Sequence, residues 1–103
     1  MAEKRETLEM RAAIHIPIVA QNIKEFTGVD VKGLNVGKGH KLAKFMFFRE
    51  CHNRGVSGTL ISQYCGHSCR FVSLYGRRKH IKLCKEDKSI QFEWNQFQKF
   101  ISI

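Results

Sequence analysis

A chain of 103 residues with 43% hydrophobic content has material for one small core, which excludes a multi-domain enzyme. Its 18 Lys and Arg outnumber 9 Asp and Glu for a formal charge of +9, so polyanions are the first partner class to consider. The longest nearly apolar stretch, residues 12 to 20, contains His15 and Pro17 and is too short for a bilayer, so no membrane partner is expected.

Residues 1 to 11 are polar and alternate in charge, and are expected to form an N-terminal arm or a frayed helix. Residues 12 to 103 are expected to form the folded domain. Pro17, the only proline, suits the first turn of a helix, where its missing N–H costs nothing. Val19, Ile23 and Phe26 then follow at helical spacing until Gly28 ends the stripe. Residues 30 to 39 are short and punctuated by glycine, with Val31 and Leu34 as anchors. From Lys38 the spacing is helical again, with Leu42, Phe45, Met46 and Phe48 on one side and Lys41, Lys44 and Arg49 on others, until Asn53-Arg54-Gly55 stops it.

Ser57 is an N-cap candidate for a short helix over about 57–64, carrying Leu60, Ile61 and Tyr64, and Cys65-Gly66 supplies a turn. Ser68 caps the next helix, over about 68–83, which runs through Phe71, Val72 and Tyr75 into Arg77-Arg78-Lys79. The last segment, 88 to 101, places Ile90, Phe92, Trp94, Phe97, Phe100 and Ile101 near helical spacing, although its first part also alternates like a strand. The expectation is an all-α fold of about five helices with a central helix-turn-helix, a scaffold helix followed by a recognition helix.

The charge is segregated along the chain. Residues 31 to 85 hold twelve Lys and Arg against Glu50 alone, and the flanks are near neutral or acidic. This points to a phosphate-binding surface rather than a merely solvated face. In a helix-turn-helix the leading positions of the second helix face base edges in the major groove, and cations further along neutralise phosphates. His67, Ser68, Cys69, Arg70 and Ser73 occupy the leading stretch, and Arg77, Arg78, Lys79 and Lys82 follow with no acid among them. Lys38, Lys41 and Lys44 are placed to hold a neighbouring groove or the backbone.

The residues also carry a family resemblance. From about Ile18 to Ile101 the order of elements resembles the C-terminal DNA-binding domain of the bacterial replication initiator DnaA, whose helix-turn-helix is of the Trp-repressor type. Val29-Asp30-Val31-Lys32-Gly33-Leu34 is similar to that family's linker after its first helix, and Lys38-Gly39-His40-Lys41-Leu42-Ala43-Lys44 to its basic loop leading into a long helix. Ser57-Gly58-Thr59-Leu60-Ile61-Ser62 sits where the family starts its scaffold helix, and Arg77-Arg78 matches a basic pair further on. The family's signature, Gly-Arg-Asp-His, two hydroxyl residues and Val, stands here as Gly66-His67-Ser68-Cys69-Arg70-Phe71-Val72. The Gly and the Val agree. His67 replaces the arginine, Ser68 the aspartate, Cys69 the histidine, and Arg70 and Phe71 the two hydroxyls. The resemblance implies the fold and binding of double-stranded DNA in a bacterial nucleoid, while the family's base-reading positions are altered.

Catalysis and cofactors are not expected. Gly37-Lys38-Gly39 lacks the distant glycine and the Ser/Thr of a phosphate loop, which excludes nucleotide hydrolysis of that type. Cys65 and Cys69 are the one cysteine pair at zinc-ligand spacing and no second pair exists, so Cys51 and Cys65 are read as small core residues and no metal is assigned. The charged opening Met1-Ala2-Glu3-Lys4-Arg5-Glu6 is unlike a secretory leader, so the thiols are expected to be reduced and the protein cytoplasmic. Cys69 beside His67 lacks an acid or amide partner for nucleophilic chemistry, and core packing accounts for Tyr64 and Tyr75. The alternative is a small protein-interaction module that docks through the C-terminal aromatic helix, its basic face serving solubility or weak nucleic-acid contact. An exposed aromatic patch away from the cations would favour it.

Overall fold

Every element among the described residues, 7–32 and 40–102 of a computed structural model, is helical, so the fold is all-α. Helix α1 spans Leu8–Thr27. Thr7 starts it by accepting the Met10 N–H at 3.1 Å, and Gly28 ends it by donating to the Lys24 carbonyl at 2.8 Å. Ala12, Ile16, Val19 and Ile23 form its buried face. Pro17 does not lie in the first turn as expected; it lies inside the helix. The Thr7 cap and the good helix formers after it nucleate the helix upstream. Pro17 and Ala13 are both exposed, so the carbonyl that loses its amide partner can turn to water. Of the expected polar arm, residues 8 to 11 belong to α1, and residues 1 to 6 lie outside the described part.

Helix α2, His40–Asn53, is the centre of the molecule. It packs against α1, against α3 (Gly58–Cys65) and against the helical run 69–86. Six consecutive residues, Ala43 to Phe48, are buried, so the expected two-sided helix is instead covered all round. Burying Phe45, Phe47 and Phe48 contributes about 2–3 kcal/mol each relative to exposure. Glu50 is held inside by Arg54 Nε at 2.9 Å and Gln98 Nε2 at 3.0 Å, which ties α2 to α5 (Lys88–Ile101).

The Ser57 hydroxyl accepts the Thr59 N–H at 3.2 Å to begin α3. After Gly66 and a short turn the chain is helical from 69 to 86, with a π-helical stretch at Phe71–Arg77 that passes directly into α4, Arg78–Glu86. Helices thus stand at 58–65 and 69–86, where the sequence places helices at about 57–64 and 68–83. Asp87 caps α5 by accepting the Ser89 N–H at 2.9 Å, and Trp94 and Phe97 are buried on one helical face. Phe97 packs on Phe26 of α1 with centroids 5.4 Å apart, which closes the core between the first and last helices.

Candidate nucleic-acid interface

The turn before the second helix is fixed by its own polar groups. Gly66 adopts φ 84°, a left-handed conformation that favours glycine, and donates its N–H to the Ser62 carbonyl at 2.9 Å. The Ser62 hydroxyl donates to the His67 carbonyl, and Ser68 Oγ accepts the Phe71 N–H at 3.1 Å. Two glycines then set how closely the helix approaches its supports. A Cβ on Gly58 would stand 2.6 Å from Ser73 Oγ, and one on Gly76 would run into the Phe48 ring. The helix after the turn is therefore clamped between α3 and α2.

Its outward face is sorted. Cys69, Arg70, Leu74, Tyr75, Arg78, Lys79, Lys82 and Lys85 are exposed, and residues 69 to 85 contain no Asp or Glu. Val72, Gly76, His80 and Cys84, four apart, form the buried side. The N-terminal half of the outer face combines one cation with two apolar side chains, Leu74 at 41% and Tyr75 at 52% exposure. Its C-terminal half carries Arg78, Lys79, Lys82 and Lys85, with Glu86 at the helix end. The Arg70 guanidinium lies 5.8 Å from the Tyr75 ring centroid, a contact between residues five apart that suits the i to i+5 bonding of a π-helix.

The expected interface residues divide accordingly. Arg70, Cys69, Arg78 and Lys82 are exposed on this helix, and Ser68 is exposed at its cap. Lys41 is exposed on α2, and Lys38 lies outside the described residues. Lys44 is a correction: it is fully buried, with Nζ 2.9 Å from His67 Nε2, because α2 is covered on every side over residues 43 to 48. His67 is half-buried, stacked on Phe71 with centroids 4.4 Å apart and edge-on to Phe48, so the ring serves packing. Ser73 is half-buried against α3, and Arg77 is half-buried with Nε enclosed. Tyr75, read from the sequence as core, is exposed, whereas Tyr64 does pack, 6.0 Å from Phe47. Leu74 was missed, although it lies four residues from both Arg70 and Arg78.

Burial and neighbouring cations favour the neutral form of the histidines here. Burial, then the Lys44 charge, lowers the His67 pKa, and burial likewise lowers that of Lys44. Burial and Arg77 lower His52. On the inner side, Arg49 donates to His80 Nδ1 at 3.3 Å and to Cys84 Sγ at 3.6 Å, and its guanidinium lies 4.3 Å from the Trp94 centroid. Burial first and Arg49 second bring His80 down to about 4. This cluster joins α2, α4 and α5 behind the cationic face.

Cys51, Cys65 and Cys84 are buried, and Cys69 is exposed with Sγ 3.6 Å from Thr59 Oγ1. Among the described residues no three His, Cys, Asp or Glu side chains could hold a metal ion, and no helix is long and apolar enough to cross a membrane. Comparison with protein-family models, curated proteins and solved structures finds no match for the chain.

Proposed function

We propose that this chain is a non-catalytic, double-stranded DNA-binding protein of the bacterial cytoplasm, nucleoid-associated, resembling the DnaA C-terminal domain and acting in replication or transcription control. The observation that carries the reading is the exposed face of residues 69–85, which holds no acid, directly after a glycine turn and a short supporting helix. Arg78, Lys79, Lys82 and Lys85 neutralise phosphates along the groove wall, and Arg70, nearer the helix start, reaches base edges. A guanidinium there suits guanine O6 and N7, worth about 1–3 kcal/mol of discrimination. Cys69 lies beside it, while His67 and Ser73 support the helix from behind.

The test is fluorescence-anisotropy binding to random-sequence duplexes and to an initiator-box duplex across a salt series. Four phosphate contacts correspond to a slope of log K on log salt of about −4. A selected subset of duplexes bound well above the pool supports site reading. Failure to bind any duplex more tightly than about 10⁻⁴ M overturns it.

One observation favours the alternative, a protein-interaction module docking through α5: Phe92 is 63% and Phe100 is 37% exposed. It is the lesser reading because Trp94 and Phe97 are spent in the core and Phe100 already packs 5.4 Å from Phe26.

A further inference from the structure

We infer that Leu74 is a specificity-determining residue that reads the C5-methyl group of a thymine in the major groove. The inference rests on the duplex-binding reading above and adds what the helix selects. Leu74 sits on the outer face one helical turn from Arg70 and from Arg78, with Tyr75 exposed beside it. An isolated exposed leucine is ordinary on a protein surface. Here two adjacent apolar side chains lie between Arg70 and Arg78 on a face rich in cations, in the half of the helix that would meet base edges.

The cations supply the argument for the occupant. A partner that buries Leu74 must also accept Arg70, Arg78, Lys79 and Lys82 around it, which requires dense negative charge with an apolar spot between. A DNA major groove has that composition: phosphates on both walls, and the thymine methyl as its one apolar base-edge group. The outward direction is fixed by packing. Val72 and Gly76, two residues to either side of Leu74, are buried, and Gly76 lies against Phe48. Arg70 and Leu74, one turn apart, then favour a site in which a guanine and a thymine lie close together.

The experiment uses the full chain and the duplexes it selects from a random pool, each remade with uracil replacing thymine at one position at a time, which removes only the methyl. Wild type is expected to lose about three- to tenfold in affinity at one position. Leu74→Ala should bind the thymine duplex that much more weakly and gain nothing from the methyl. Lys85→Gln should weaken thymine and uracil duplexes equally. Because Leu74 is exposed, its substitution leaves the fold intact, which an unchanged thermal melt verifies. If Leu74→Ala keeps the full thymine preference, or no single methyl matters to wild type, the inference is overturned while duplex binding stands. A flat titration of wild type against every duplex would show instead that the underlying DNA reading has failed, and the inference with it.

Discussion

Lys44 Nζ and His67 Nε2 lie 2.9 Å apart, one on the central helix and the other in the turn that leads to the cationic helix. With Lys44 in its ammonium form, which only donates, Nε2 accepts and the His67 proton sits on Nδ1. The lysine thereby braces the turn from inside, and its charge is withdrawn from the surface.

Lys44→Ala is expected to destabilise the fold by about 2–4 kcal/mol, through the cavity left in α2 and the lost partner of His67. It should leave the salt dependence of duplex binding unchanged. Lys82→Gln should do the reverse, with a normal melt and a slope reduced by about one. Thermal denaturation and anisotropy titrations on the two proteins check both halves.

The close approach of the π-helical stretch to α2 depends on Gly76. Its missing Cβ is replaced by the Phe48 ring, and the Phe71 carbonyl is 3.1 Å from where that Cβ would be. Gly76→Ala is expected to cost about 1–3 kcal/mol in urea unfolding. Adding Phe48→Leu to Gly76→Ala should recover part of the loss, a non-additivity that a purely local helix effect would not give.

Acid stability should report His80. In the unfolded chain it takes up its proton near 6.5, and in the fold only at about 4. Between these values the unfolded state binds more protons, so stability falls as pH drops through the window and is insensitive to this group above it. The part due to His80 amounts to about 3 kcal/mol over the window. Urea unfolding of wild type and His80→Gln at a series of pH values isolates it as the difference between the two curves.

The thiols should separate by access. With Cys69 exposed and the other three buried, a native titration with a disulfide reagent is expected to modify Cys69 rapidly and the remainder only on unfolding. Burial also pushes the Cys51 thiol far up, which reinforces its inertness. A bulky adduct on Cys69 should weaken duplex binding, measured on the singly modified protein.

Much of the architecture was legible because its punctuation is local. Ser57, Ser68, Gly28, Gly55 and Gly66 start and stop helices through bonds to residues within a few positions, and each does so here. What escaped depends on neighbours distant in sequence. Lys44 looked like a surface cation because its burial is decided by α1, α3 and helix 69–86 closing over α2. The run Phe45-Met46-Phe47-Phe48 carried the clue, since four apolar residues in succession cannot share one face of a helix. Arg49 likewise gave no sign that it would lie between His80 and Trp94. In the candidate interface the exposed positions of Arg70, Arg78 and Lys82 were legible from charge. The inward turn of Ser73 was not, because it follows from Gly58 letting α3 come close. The alternation that made the start of α5 resemble a strand is overruled by the Asp87 cap and by the core beneath Trp94 and Phe97.

The π-helical stretch also acts as a phase-setter. Its wider turns accommodate extra backbone, and in an α-helix one residue corresponds to about 100° of rotation. The two ends of helix 69–86 are therefore indexed against each other by Phe71–Arg77. A single-residue deletion there would leave every side chain on either side chemically intact yet swing Arg78, Lys79, Lys82 and Lys85 around the axis relative to Arg70 and Leu74, much as a key with a twisted shank keeps its teeth and no longer turns the lock.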